Sequence, residues 1–416
     1  MELSSLVRIK RENLGLSQKE FSELLGLKQG GERTIRGWEL GEHVPSPARK
    51  AQIETLPDIA PFKHEGEGEF KFIDLFAGIG GTRLGFQQEN GKCVFTSEWD
   101  KFSKKTYAAN FGELPNGDIT QITAGSIPDH DVLVAGFPCQ AFSNAGLKQG
   151  FYDTRGTMFF EIQRILAEKR PAAFLLENVK QLRGHDEGRT LQTILDILNG
   201  NTDATVPHNI PMSEEARASL SIPLDYETGF AVLSAKDFGV PQKRERIYLV
   251  GFSRSLFPSL CMKDFFADLP GRVTSQPLGS VLEDNRLVPA NYTISDRLLQ
   301  GHERRRIEHA RKGNGFGYSV FNAESPYCNT ISARYYKDGS EILIDQSDVG
   351  RNPRKLTPRE CARIQGFPEE FVVDAVSASQ AYRQFGNSVS VPVIRSIAKR
   401  MKEWAGGSLA VRAPVV

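Results

Sequence analysis

At 416 residues the chain is too long for one simple core, so two or three domains are expected. Hydrophobic residues are 39% and charged residues 25%, the balance of an ordinary soluble globular protein. A net charge of +1 neither argues for a nucleic-acid partner nor excludes one, and a DNA binder of this balance must cluster its positive charge. The five cysteines, Cys93, Cys139, Cys261, Cys328 and Cys361, form no CxxC pair and no zinc-type spacing with histidine, so no metal site is expected. Their sparse, odd count fits a reducing cytoplasm. No apolar run reaches the roughly 18 residues of a membrane span, and "MELSSLVRIKRENLG" has no signal-peptide core.

The first block, 1–61, reads as short amphipathic helices. Leu3, Leu6, Val7 and Ile9 precede a break at Asn13 to Leu16. Ser17 is a good N-cap, with Glu20 completing a capping box, and Phe21, Leu24 and Leu25 form an inward stripe. Ile35, Trp38 and Leu40 follow, with Gly41 as C-cap. "LGLSQKEFSELLGL…TIRGWELGEHVPS" resembles the helix-turn-helix domain of the phage-repressor class. Gly30-Gly31 departs from that pattern near the start of the second helix. The resemblance implies a dimeric DNA-binding unit, and a helical dimerisation or docking module is the alternative. The polar, glycine-rich "KHEGEGEF", Lys63 to Phe70, reads as a linker, bounded as residues 62–69.

From Phe70 to residue 252 the chain alternates strand and helix. "FKFIDLF", "KCVFTSE", "HDVLVAGF" and "AAFLLENV" are strands, and helical stretches such as "TMFFEIQRILAEKR" separate them. This rhythm predicts an α/β fold with a doubly wound, mostly parallel sheet, and a site at the carboxyl ends of the strands. Phe76-Ala77-Gly78-Ile79-Gly80-Gly81 follows the first strand, where glycines let backbone approach a ligand. Glu98-Trp99 follows the second: a carboxylate for ribose hydroxyls and an indole for an adenine face. Asp118-Ile119 offers an acid for an adenine amino group. Together these describe a nucleoside pocket, and it lacks the phosphate-binding lysine of a P-loop.

Pro138-Cys139-Gln140 and Glu177-Asn178-Val179 end two further strands. A cysteine and a glutamate on neighbouring strand tips suit covalent catalysis with an acid partner. In "QKRERIYLVGF", Gln242, Arg244 and Arg246 alternate into a strand, and the two guanidinium groups share one side, suited to an anion. A solvated charge run is the other reading of "KRER".

These segments, with "GFPCQAFS", "RKLTPRECARIQGFP" and "YRQFGNSVSVPV", come in one order between Phe70 and about Lys402. Together they resemble the DNA (cytosine-5) methyltransferase family of bacterial restriction-modification type. The resemblance implies the S-adenosylmethionine-dependent methyltransferase fold and that methyl donor, with S-adenosylhomocysteine as product. It implies Cys139 as the nucleophile adding to cytosine C6, with Pro138 and Gln242 also in the catalytic set. Glu177 would protonate or hold N3, Arg246 would hold O2, and Arg244 would hold phosphate or the catalytic loop. The donor would lie against Phe76, Gly78, Ile79, Gly80, Gly81, Glu98, Trp99, Asp118, Ile119 and Pro138, with Asn387 and Val389 closing the pocket.

A stacked cytosine hides C6, so the base must leave the helix. The polar segment from Gln140 to about Gly156 reads as a loop that closes over it, with Ser143 touching DNA by resemblance. Residues 253–353 lack the strand–helix rhythm, and five arginines and lysines fall between His302 and Lys312. The family keeps its target-recognition domain here. "GNGFGY" and "TISARYYKDGSEILI" resemble the subgroup reading CCNGG or CCWGG, and a related subgroup reads CCGG. Arg334 is the leading base reader, with a phosphate contact as its alternative; Tyr335, Tyr336 and Lys337 come next. Residues 354–405 are expected to return to the catalytic domain, leaving 406–416 as a tail. The expected partner is double-stranded DNA, with a cognate endonuclease acting on the same site but not in a stable complex. A monomeric catalytic part is expected, dimerising if at all through the first block. The competing functions are an RNA cytosine-5 methyltransferase and a DNA-binding regulator.

Overall fold

The computed structural model describes residues 3–138, 158–201, 206, 210, 212–313 and 317–410. Four helices make the front block: α1 (Leu3–Asn13), α2 (Gln18–Leu24), α3 (Gly31–Leu40) and α4 (Pro47–Glu54). The expected capping box starts α2: Ser17 Oγ accepts from Glu20 N, and Glu20 Oε2 accepts from Ser17 N at 2.8 Å. Gly41 caps α3 with φ +72°. Gly31 has a packing reason, since a Cβ there would fall 2.7 Å from the Leu27 Cβ. Helix α4 carries its own local signal beyond the expected helices: Ser46 is its N-cap and Pro47 sits in its first turn.

The second block holds β1 (Phe70–Leu75), α5 (Gly81–Gln87), β2 (Gly91–Ser97), α6 (Lys101–Phe111), β3 (Val132–Gly136), α7 (Met158–Lys169), β4 (Ala173–Val179), α8 (Arg189–Leu198), α9 (Glu214–Ser219), β5 (Tyr226–Ser234) and β6 (Glu245–Ser253). The sheet order is β2-β1-β3-β4-β6-β5. The first four strands pair in parallel; β6 runs antiparallel to both β4 and β5. One face is covered by Phe159, Ile162 and Ile165 of α7 with Leu191 and Ile194 of α8. The other is covered by Phe86 of α5 and by α13 (Val391–Trp404) through Val393, Ile397 and Met401.

The third block carries α10 (Asp296–Arg311), a two-stranded pair of β7 (Val320–Phe321) with β8 (Leu343–Ile344), α11 (Pro358–Arg363) and α12 (Ala378–Asn387). Packing divides this part differently from the sequence expectation. Phe257, Met262, Phe265 and Leu269 pack with the sheet, although recognition residues were expected from 253. Leu356, Cys361, Tyr382 and Phe385 share one core both with Ile331, Tyr335 and Ile342 and with Ile79, Leu84, Tyr107 and Phe111, so the stretch after residue 354 joins the recognition segment to the catalytic block before α13 covers the sheet.

The front block is not held at a distance. Its core of Leu14, Phe21, Leu24, Ile35, Ile53 and Ala60 includes Ala108 of α6. Phe62 N donates to Asn110 O at 2.8 Å, and its ring lies 6.1 Å from both Phe111 and Phe371. The stretch read as a spacer therefore begins with an anchoring residue. No helix among the described residues is long and apolar enough to cross a membrane.

Candidate active site

The site forms where β1 and β2 end. Asp74 is the one acid inside apolar β1, and it is fully buried. Thr82, in the first turn of α5, donates its hydroxyl to the Asp74 carboxylate at 2.8 and 2.7 Å to its two oxygens. Burial pushes that carboxyl up to about 7. The pair clamps the turn between strand and helix. Inside the turn Phe76, Gly78 and Gly80 have φ of +56°, +56° and +86°. A Cβ on Gly80 would fall 2.2 Å from the Phe111 ring, so packing requires glycine there. A Cβ on Gly78 would meet nothing within 4 Å, so that glycine faces open space.

Glu98 is buried at the β2 tip, and its oxygens accept from Gly78 N at 2.8 Å and Asp100 N at 2.7 Å. Burial raises its pKa and these two N–H groups lower it. Each oxygen keeps a lone pair for a ligand hydroxyl. Trp99 follows with 78% of its surface exposed. Glu98 N donates to Asn116 O at 2.9 Å, which draws the next connection alongside. There exposed Asp118 accepts from Thr120 N at 3.0 Å and Oγ1 at 2.9 Å, while Ile119 is buried. Gly81 touches the far end of the chain: a Cβ on it would lie 2.9 Å from Val389 Cγ2. Ile79 and Val389 are buried, and Asn387 is exposed at the end of α12. Carboxylates, an exposed indole and an open glycine cradle fit a nucleoside ligand such as S-adenosylmethionine.

A second group forms one strand over. Parallel pairing of β3 and β4 sets Gly136 opposite Glu177. A Cβ on Gly136 would sit 3.4 Å from Glu177 Oε2, so the small residue leaves room for the carboxyl. Antiparallel β6 brings its start, not its end, to this edge: Arg246 pairs with Val179 and Tyr248 with Glu177. Arg246 Nε lies 3.1 Å from Glu177 Oε1. Glu177 is 8% exposed. Burial raises its carboxyl, and the Arg246 and Arg244 charges pull it back. Asn178, quoted in the sequence but given no role, donates to Phe137 O at 3.2 Å and so fixes the turn leading to Pro138. Pro138 is half-buried; Cys139, Gln140, Ser143 and the rest of that segment lie outside the described residues.

Three expected contacts are placed elsewhere by burial. Arg244 is 2% exposed and donates to Ile331 O at 3.1 Å, Gly386 O at 3.0 Å and Ser388 O. These bonds make it a staple between the sheet, the recognition segment and the α12 end, while the catalytic loop, one of its expected partners, lies outside the described residues. Gln242 is fully buried, donates to Ile364 O at 3.4 Å, and forms a backbone bridge with Cys328. Tyr335 is fully buried; its hydroxyl donates to Ile342 O at 2.7 Å and accepts from Leu356 N at 2.8 Å, which takes it away from any base edge. Arg334 and Lys337 beside it are exposed. Gly386, to which the sequence pattern assigns no role, packs against this segment: a Cβ there would fall 2.4 Å from Ala333 N. Among the described residues no three His, Cys, Asp or Glu side chains come together as a metal site.

Comparison with known proteins matches this arrangement to one family. The C-5 cytosine-specific DNA methylase profile matches residues 70–201 and 219–403. The chain is 53% identical to the type II methyltransferase M1.ScrFI of Lactococcus lactis subsp. cremoris over 403 residues, 97% of this chain and 96% of that one. It is 52% identical to the type II methyltransferase M.SsoII of Shigella sonnei, covering 96% and 97% of the two chains. In fold it is similar to the Entamoeba histolytica methyltransferase EhMeth, with a TM-score of 0.61, 18% identity, and coverage of 81% of this chain and 99% of that one. A family match over most of the chain and more than 50% identity to two type II enzymes over nearly its full length show that this chain belongs to the C-5 cytosine-specific DNA methylases of type II restriction-modification systems.

Proposed function

We propose that the chain methylates C5 of a cytosine flipped out of a short palindromic duplex site, of the CCNGG, CCWGG or CCGG kind, through a covalent bond from Cys139 to C6. The observation that carries this reading is Glu177, buried, raised in pKa and paired with Arg246, on the strand that adjoins the one leading to Cys139. Cytosine C5 is a weak nucleophile. Thiolate addition at C6, with a proton delivered to N3, turns N3–C4–C5 into an enamine whose C5 is electron-rich. Glu177 is the proton source at N3, and its raised pKa keeps it protonated nearer neutral pH. Arg246 both holds O2 and positions the Glu177 carboxyl. S-adenosylmethionine supplies an electrophilic methyl group when bound. Phe76 and the turn from Gly78 to Gly81 would hold its sulfonium end, Glu98 the ribose, Trp99 and Asp118 the adenine, with Asn387 and Val389 at the rim. Loss of the C5 proton then re-forms the C5–C6 double bond and expels the Cys139 thiolate.

The front block supports a second role as a transcriptional autoregulator. Helix α3 exposes Arg33 and Arg36, and neither makes an ion pair among the described residues. Gly31 lets α2 and α3 cross closely, as a helix-turn-helix requires. Arg334 and Lys337 are the proposed base readers, Ser143 a DNA contact. Bisulfite sequencing of DNA from cells expressing the chain tests the main reading. Protected cytosines at one short palindrome are expected; conversion matching cells without the chain would overturn it.

A further inference from the structure

A groove of about 500 Å³ opens between the front block and α6. One wall is the end of α2, Leu24 to Leu27, with Arg49 of α4; the other is Trp99 and the first turn of α6, Lys101 to Lys105. Four cations line it, Arg49, Lys101, Lys104 and Lys105, against one carboxylate, Glu23. Glu23 lies 4.0 Å from Lys104, which leaves three positive charges in excess. Lys101 and Lys105 have no carboxylate within ion-pair distance among the described residues, and the Lys101 ammonium rests 5.1 Å from the Phe102 ring centroid. Lys105 is half-buried, and burial, Arg49 and Lys101 hold its pKa below the ordinary lysine value. A solvated charged face would let these groups spread apart. Here two separate blocks bring them together over a concave surface.

The positive charge continues beyond the groove. Leu27 is followed by exposed Lys28, and α3 begins three residues later with Arg33 and Arg36 on its open face. A row of cations suits a repeating anion better than a single small one. We propose that the groove carries a stretch of the phosphate backbone of the duplex held by the front block, so that Lys101 and Lys105 of the catalytic block are part of that second DNA site. This rests on the reading that the front block binds DNA.

The test uses the full-length protein and the Lys101→Gln/Lys105→Gln double variant, with Arg49 left in place because it caps the Leu25 and Gly26 carbonyls. The probe is the duplex that the wild-type protein protects in a footprint upstream of its own coding sequence. Binding is followed by anisotropy across a range of KCl concentrations. Each lost phosphate contact removes about 0.9 from the slope of log affinity against log salt, so the double variant should be flatter by about 1.8. Methyl transfer at the methylation site should keep its kcat and its KM for the donor, which also shows that the variant is folded. An unchanged slope with a normal footprint would overturn the inference alone. A wild-type footprint confined to methylation sites would overturn the reading of the front block, and the inference with it.

Discussion

A carboxyl group buried beside one guanidinium is pulled in two directions. For Glu177 burial favours the proton and Arg246 favours the charge, and the outcome is a pKa above the ordinary glutamate value. The protonated fraction therefore falls as pH rises through that raised value, and with it the part of the rate that depends on acid assistance. Glu177→Gln keeps the shape and removes the proton donor. Single-turnover transfer should drop by ~10²-fold or more, and this alkaline decline should vanish from the pH profile. An unchanged rate would remove Glu177 from the chemistry. Asp74 makes a separate statement about stability. Its carboxyl titrates near 7 in the folded chain, far above the unfolded value of 3.8. Between about pH 4 and 7 the folded state holds the extra proton, so stability falls as pH rises through that window. Asp74→Asn keeps an acceptor for the Thr82 hydroxyl and should flatten this part of the stability curve, read as urea midpoints at about pH 5 and about pH 8. An equal slope in both proteins would contradict the assignment.

At the scale of elements, the reversal of β6 decides what the site contains. Arg246 precedes most of its strand, yet it reaches the carboxyl end of β4 because β6 runs antiparallel. The sequence shows alternation in "QKRERIYLVGF" but not strand direction, so two arginines on one side could be read while the Arg244 destination could not. That destination is a set of carbonyls at Ile331, Gly386 and Ser388, up to 144 residues away along the chain. The same limit applied to Gln242 and Tyr335, polar by type and buried by long-range packing. Where local chemistry suffices, the pattern is readable: the Ser17 capping box, the Gly41 cap, Glu98 and Glu177 at the ends of β2 and β4, and Asp118 capping a turn in the connection to β3. Asp74 carries a local signal too, as a lone acid in an apolar strand. The contact of Gly386 with the Ser332–Ala333 backbone yields a test. Gly386→Ala overpacks that crossing and should cost about 1–3 kcal/mol, with the KM for DNA rising more than kcat falls. Equal stability and kinetics would mean that the recognition segment does not depend on this contact.

At the scale of the whole molecule, three blocks share walls instead of hanging from linkers. The front block closes over Ala108, and α11 and α12 pack with the recognition segment. A chain starting at Phe62 keeps the family's matched region from residue 70 onward and the Phe62 anchor. It should retain site-specific methylation, with a melting temperature lowered by a few degrees as Ala108 is uncovered. Loss of methylation would make the front block part of the catalytic fold. The central claim concerns a bond that forms and breaks within one turnover: Cys139 to cytosine C6. A duplex with 5-fluorocytosine at the target position blocks the last step, because C5 then has no proton to lose. Incubated with the protein and S-adenosylmethionine, it should give a complex that survives denaturing electrophoresis, with the DNA mapped to Cys139 by mass spectrometry. Cys139→Ala should give none while still binding the donor. Normal methylation of the unmodified duplex with no stable complex on the fluorinated one would contradict the covalent mechanism.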